Sequence, residues 1–158
     1  MRQPASLFFL LVLGLGACVK NDFCIQPSAV KTVVRFKHID STNKKVDSAF
    51  DNITIFLTDS SYLYYDDISS VKQVQLYLRP NANRQVMVFK QEEEPFLSDT
   101  ITIKFESILH FISNGCGYQY YFNLTEVSST HHLIQEAVIT RATVTESIAS
   151  ENIEILFK

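Results

Sequence analysis

The sequence predicts an all-β fold, an antiparallel β-sandwich of about eight strands with one disulfide, preceded by a cleaved lipoprotein signal peptide. Short segments alternate apolar and polar residues, and turn-like stretches such as Arg79–Asn83 separate them. A short apolar leader ends at the first of three cysteines. Strict alternation is typical of a half-buried strand. We therefore expect residues 1–17 to be a signal peptide, 18–29 a lipidated N-terminus and short tether, and 30–158 a single sandwich domain.

The leader begins with a positive charge at Arg2 and continues as an uncharged apolar run up to Leu15–Ala17, directly before Cys18. This order predicts a lipobox, whose cysteine receives diacylglycerol after cleavage. A spanning helix needs about 20 apolar residues, more than the run supplies. The other alternative is a simple secretory peptide cut before a free cysteine. We expect an outer-membrane anchor, because Val19 stands where an aspartate tends to retain lipoproteins at the inner membrane.

Lipidation of Cys18 leaves Cys24 and Cys116, which permit one pairing only. The compartment beyond the inner membrane is oxidising, which favours a disulfide between them. Two unpaired thiols remain the alternative. No metal site is expected, because no histidine lies at zinc-finger spacing from either cysteine. Residues 19–23 extend at most about 17 to 18 Å, so the domain is expected close to the bilayer.

The clearest strand is the stretch 100–106, where Ile101, Ile103 and Phe105 share one face. Residues 105–113 alternate less strictly; they are compatible with a short helix before the next strand and receive no assignment. The polar residues 40–48 are expected to form a loop. Similar alternation predicts strands at 32–39, 52–58, 71–78, 85–91, 116–124, 133–141 and 152–157.

The predicted strand from Cys116 places that cysteine, Tyr118 and Phe122 on one inward face. Gly117 is expected to permit a bulge or a close backbone approach. The predicted core comprises Val34, Phe36, Ile53, Ile55, Leu57, Val74, Leu76, Ile101, Ile103, Phe105, Tyr118, Phe122, Ile153 and Ile155.

The order of these features resembles a family of small Bacteroidota lipoproteins of unknown function. The resemblance lies in lipobox Cys18, a polar spacer with Asp22, Cys24, the strand opened by Cys116–Tyr118, and Glu151–Asn152 before the last strand. It spans nearly the whole mature chain. The family implies no activity, so it assigns no catalytic residue and no cofactor.

Charge and motifs exclude several functions. The formal net charge is −3 and no basic stripe is present, so nucleic acid is not an expected partner. The chain has no Gly-x-Ser-x-Gly, His-Glu-x-x-His or phosphate-binding loop, and the adjacent His131 and His132 follow a loop-like stretch. An enzyme is therefore not expected.

Two binding functions remain. The first is a structural or interaction module with an envelope protein as partner. The second is a module for an apolar or glycan ligand, built on Tyr62, Tyr64 and Tyr65, because four consecutive large residues cannot all face inward on one strand.

The resemblance to Bacteroidota also implies O-glycosylation at Asp followed by Ser or Thr and a small aliphatic residue or Thr. The candidate acceptors are Ser48, Ser41 and Thr100. Chance matches are the alternative, because such triplets are common in a chain rich in Ser, Thr and Asp. Glycans need exposed loops, so we rank Ser48 first and Ser41 second.

Overall fold

The computed structural model describes residue 24 and residues 29–92, 97–149 and 151–158. These residues form eleven strands in two sheets and no helix, which confirms the predicted all-β fold. Within them, no helix has the length and apolar character to cross a membrane. The leader and Cys18 lie outside the described residues.

The strands follow one another with short connections. They are β1 (Thr32–Ile39), β2 (Lys45–Asp47), β3 (Ile53–Leu57), β4 (Leu63–Ile68), β5 (Gln73–Leu76), β6 (Arg84–Gln91), β7 (Ser98–Ser113), β8 (Gly117–Ser129), β9 (Ile134–Ile139), β10 (Thr143–Val144) and β11 (Ile153–Phe157). In the described chain, the first sheet has the order β2-β1-β11-β9, with β5 also paired to β1. The second has the order β10-β8-β7-β6-β3-β4.

One ladder departs from the predicted antiparallel arrangement. Strands β1 and β11 pair in parallel, with Val34 opposite Ile153 and Phe36 opposite Ile155. The other named ladders of the described residues are antiparallel. Alternation along a strand shows which face is buried, but it carries no information about the direction of the neighbouring strand.

The core lies between the two sheets. Phe36 of the first sheet meets Phe89 of the second edge to face, with ring centroids 6.3 Å apart, and also packs against Phe157 at 5.5 Å. Such T-shaped pairs add to the stabilisation from buried apolar area. Every predicted core residue is buried except Tyr118, which is 67% exposed, so that prediction is wrong.

Two segments for which the sequence predicted a loop or gave no assignment form strands in the structure. Lys45–Asp47 lies within the predicted loop 40–48 but pairs with β1 as β2, and Asp47 forms ion pairs with Arg35 and Lys37 across the ladder. Residues 105–113 continue β7 and do not form a helix. This continuation makes β7 and β8 a long hairpin with antiparallel pairing up to Ser113 opposite Gly117. Its length decides where the exposed aromatic side chains lie.

Candidate binding surfaces

The first candidate surface is a depression beside the edge strand β4. It has a volume of about 260 Å³, and Tyr62, which is 51% exposed, forms part of its wall. The Tyr62 ring meets that of Tyr64 edge to face, with centroids 4.9 Å apart. We call this surface the tyrosine depression. Its lining consists of Leu57, Tyr62, Tyr64, Tyr77, Leu78 and Arg79.

Two of the three predicted tyrosines use their hydroxyls to join the sheets. Tyr64 donates to the carbonyl of Tyr77 and accepts from Nε2 of Gln85 at 2.9 Å. The Tyr65 hydroxyl donates to the Gln75 carbonyl at 3.0 Å and accepts from the Gln75 amide at 2.8 Å. The Tyr65 hydroxyl therefore links β4, an edge strand of the second sheet, to β5, an edge strand of the first sheet.

These contacts divide the roles of the tyrosines. Burial, partly offset by the hydrogen bond from Gln85, raises the pKa of Tyr64 to about 12, so its hydroxyl stays protonated. Tyr65 is half-buried and does not line the depression. Of the predicted set, Tyr62 alone combines exposure with a place in the wall.

Polar groups surround the tyrosine depression. Arg79 donates from its Nη1 to Asp59 at 2.7 Å and from its Nη2 to the hydroxyl of Ser60 at 3.0 Å. The ammonium of Lys31 lies 5.1 Å from the ring centroid of Tyr77. Tyr77 and Arg79 were not predicted from the sequence. The signal for Tyr77 was its outward phase between buried Leu76 and Leu78.

The second candidate surface is the distal end of the β7–β8 hairpin, defined as residues 108–120 and called the hairpin tip below. Here Leu109 lies opposite Tyr120 and Phe111 opposite Tyr118. These residues continue the face that carries Phe105 in the core, yet they are 56%, 39%, 49% and 67% exposed, respectively. The hairpin thus extends beyond its cover, which explains why Tyr118 has the phase of a core residue and is exposed.

A disulfide closes the hairpin tip. Cys24 and Cys116 are bonded, with Cα atoms 4.7 Å apart, which confirms the predicted pairing. The sequence predicted that Cys116 lies within the strand, but the structure places it in the turn before β8. Its amide donates to the Ser113 hydroxyl at 3.1 Å. Gly117 has φ of +71°, and the ladder register shifts beside it, between Phe111 and Ser113 on β7. No atom lies within 4 Å of the position that a Cβ atom at residue 117 would occupy. The positive φ, and not a lack of space, therefore favours glycine at this position.

The candidate glycosylation residues differ in exposure. Ser41 is exposed in a turn where Asp40 accepts from the amide and hydroxyl of Thr42. Ser48 is half-buried and donates its amide to the Phe36 carbonyl. Thr100 is half-buried within β7. Exposure therefore favours Ser41 over Ser48, the reverse of the ranking from the loop prediction.

A buried carboxylate follows the start of β7. Asp99 is fully buried and accepts from the Thr130 hydroxyl at 2.5 Å and from the amides of His132, Leu133 and Ile134 at 2.9, 2.7 and 2.7 Å. Burial opposes ionisation, but these hydrogen bonds outweigh it and hold the pKa of Asp99 below its ordinary value. The carboxylate orders the β8–β9 connection. Asp99, which precedes the glycosylation candidate Thr100, is therefore buried and hydrogen-bonded within the fold.

The structure contains no candidate metal centre in the described part of the chain. Among those residues, no group of three or more His, Cys, Asp or Glu side chains is placed to hold an ion. His131 and His132 lie in the connection between β8 and β9, as the sequence predicted, and His110 stacks on Tyr121 with ring centroids 4.6 Å apart. The tyrosine depression and the hairpin tip are two surfaces of the described residues that carry exposed aromatic side chains.

These features define a class of protein, an all-β domain of two packed sheets with a disulfide at the end of one long hairpin. The chain belongs to the family of unknown function DUF6452, whose model matches residues 52–157. The match includes Cys116 and both candidate surfaces, whereas Cys24, β1 and β2 precede it. Comparison with curated proteins and with solved structures finds no match.

Proposed function

We propose that this protein is a lipid-anchored envelope lipoprotein whose folded domain serves as an interaction module. The observation that carries the proposal is the leader, in which Leu15–Ala17 precede Cys18. Cys18 would carry the lipid after residues 1–17 are removed. The disulfide supports a short attachment, because it joins Cys24, which follows Cys18 after five spacer residues at positions 19–23, to the folded domain.

The proposed address is the outer membrane, because Val19 and not Asp follows Cys18. Two or more acyl chains provide stable anchoring, since each buried methylene contributes about 0.8 kcal/mol. The bilayer is then a partner through covalent lipid. Resemblance to the Bacteroidota lipoproteins supports the same address.

The test is metabolic labelling with an alkyne fatty acid in the native host, followed by membrane fractionation. We expect the wild-type protein to incorporate the label and to sediment with outer membranes. Cys18→Ala should abolish labelling and give an uncleaved precursor or a soluble product. Cys116→Ala is the matched control and should retain the label. Equal labelling of wild type and Cys18→Ala would contradict the proposal.

For the interaction module we propose an envelope protein as partner and the tyrosine depression as its contact surface. Tyrosine and arginine are enriched at the energetic centres of protein interfaces, and Tyr62 and Arg79 lie together here. Cross-linking in intact cells followed by tagged purification tests this. A specific partner lost in Tyr62→Ala and retained in the exposed control Asn81→Ala supports it. Equal recovery in both variants contradicts it.

A second candidate is a binding module for an apolar or glycan ligand. The specific observation is the concave shape of the tyrosine depression, about 260 Å³, with the rings of Tyr62 and Tyr64 in its wall and Arg79 at its rim. Sugar rings stack on aromatic faces and hydrogen-bond to such polar groups. Titration with outer-membrane oligosaccharides should then give saturable binding that Tyr62→Ala removes. If the protein binds a protein partner and no oligosaccharide, the result supports the interaction module and contradicts the ligand-binding module.

A further inference from the structure

We propose that the hairpin tip lies in the headgroup layer of the membrane that holds Cys18, so that the protein contacts the bilayer through its own side chains as well as through lipid. This inference rests on the proposed lipid anchor. It adds a docking surface and an orientation that the anchor by itself does not provide.

The hairpin tip lies next to the point where the proposed anchor joins the folded domain. Residues 19–23 extend at most about 18 Å, and the Cα atom of Cys24 lies 4.7 Å from that of Cys116 at the hairpin tip. The disulfide therefore attaches the lipidated end of the chain to this end of the hairpin. Any bilayer that contains the acyl chains is held within reach of the tip.

The side chains of the hairpin tip suit the headgroup layer of a bilayer. Five exposed side chains of the hairpin tip are large and apolar or aromatic, with Ile108 50% exposed on the face opposite Leu109, Phe111, Tyr118 and Tyr120. The polar side chains of His110 and Asn114 are also exposed there. Residues 107–125 contain no Asp, Glu, Lys or Arg. Entry into the headgroup layer therefore desolvates no carboxylate, ammonium or guanidinium in this segment. Tyrosine favours this layer, because its ring is apolar and its hydroxyl remains hydrated.

A bilayer fits the hairpin tip better than a protein partner does. A protein partner is usually oriented by complementary charge, which the hairpin tip does not offer. The lipid instead keeps the bilayer at a high effective concentration beside the tip. The tyrosine depression is elsewhere, because the ladders place Leu57 opposite Met87 and Met87 opposite Ile101, ten residues before Phe111. At about 3.3 Å per residue, this is roughly 33 Å along the strand.

The test uses the absence of tryptophan from the chain, so that a single introduced tryptophan reports one position. The full lipidated protein carries Phe111→Trp or Tyr118→Trp and is reconstituted in vesicles of phosphatidylethanolamine and phosphatidylglycerol with a fraction of dibrominated phosphatidylcholine. Tyr62→Trp is the matched control, because Tyr62 is also exposed and lies near the far end of the sheet.

We expect bromine quenching and a blue-shifted emission at positions 111 and 118, and neither effect at position 62. Flotation of the vesicles tests the lipid anchor independently of whether the hairpin tip contacts the bilayer. Protein that does not float overturns the proposed lipid attachment. Protein that floats while both tip positions remain unquenched overturns the tip inference and leaves the attachment intact. Cross-linked dimers that require the tip, without quenching, would assign the surface to a second copy.

A second measurement does not depend on tryptophan. In the chain without residues 1–18, which lacks both the apolar leader and the proposed lipid site, Phe111→Ser with Tyr118→Ser should weaken co-sedimentation with the same vesicles by on the order of tenfold, because two apolar contacts with the bilayer are lost. Tyr62→Ser should leave co-sedimentation unchanged. Equal co-sedimentation of the tip variant and its parent contradicts the inference.

Discussion

Asn152, directly before the last strand of the described fold, exchanges two hydrogen bonds with Val33 of the first strand. The Asn152 amide donates to the Val33 carbonyl at 2.8 Å, and the Val33 amide donates to Oδ1 of Asn152 at 3.0 Å. Nδ2 of the same side chain donates to the carbonyls of Arg141 and Thr143 at 3.2 and 3.0 Å. One fully buried amide side chain thus holds β1 and the β9–β10 connection at the start of β11.

Asn152→Ala is expected to lower the free energy of unfolding by about 3 kcal/mol, because the buried Val33 amide and the part-buried carbonyls of Arg141 and Thr143 lose their partner. Denaturant unfolding of the unlipidated domain measures this. Asn81→Ala, at an exposed turn, is the control and should change stability by less than about 0.5 kcal/mol. A similar loss in the two variants would contradict the role assigned to Asn152.

Asp99→Asn is expected to cost about 3 kcal/mol at neutral pH, because an amide cannot accept all four hydrogen bonds that the carboxylate accepts. The pKa of Asp99 is lower in the fold than its ordinary value of 3.8. Its contribution is therefore complete above that value and is lost as the pH falls from 3.8 through the lower pKa of the folded state. The difference in the free energy of unfolding between wild type and Asp99→Asn should therefore narrow as the pH falls below 3.8.

Unfolding curves between pH 7 and pH 2 test the Asp99 prediction. The exposed Asp66→Asn is the matched control, and its difference from wild type should remain small throughout. A gap between wild type and Asp99→Asn that widens on acidification would refute the assignment.

Loss of the disulfide is expected to lower the free energy of unfolding by roughly 4 to 5 kcal/mol, because the bond closes a loop across 92 residues. Cys24→Ser, Cys116→Ser and the double variant should be destabilised equally, since each removes the same bond. Thermal melts of all three proteins and of the reduced wild type provide the comparison. Unequal single variants would show that one cysteine contributes through packing.

Ile103→Ala is expected to cost about 2 to 5 kcal/mol, because its side chain is buried between the sheets and its truncation leaves a cavity. The neighbouring Thr102 is half-buried on the other face of β7, so Thr102→Ala should cost much less. Denaturant titration of both variants checks the alternation. Comparable losses at the two positions would mean that the face of β7 is wrongly assigned.

Protein purified from the native host is expected to carry added hexose, with Ser41 as the acceptor that exposure favours. Intact-mass measurement should show the glycan in wild type and in Ser48→Ala, and its loss in Ser41→Ala. A mass equal to the acylated polypeptide alone would remove the glycosylation prediction.

The sequence by itself determined the fold class and most of the core, because alternation in segments such as Thr32–Ile39 reports burial directly. It also predicted the Cys24–Cys116 disulfide, given the expectation that Cys18 carries lipid. Both results depend on local pattern or on counting cysteines.

The tertiary structure decided what local pattern does not contain. The parallel pairing of β1 with β11 depends on which strands become neighbours after the whole chain has folded. The exposure of Tyr118 depends on where the covering sheet ends, although its phase matches that of buried Phe122. The hydroxyl of Tyr65 has its partner on β5, in the other sheet. Each outcome is a contact between segments distant in sequence, which alternation along a single strand does not encode.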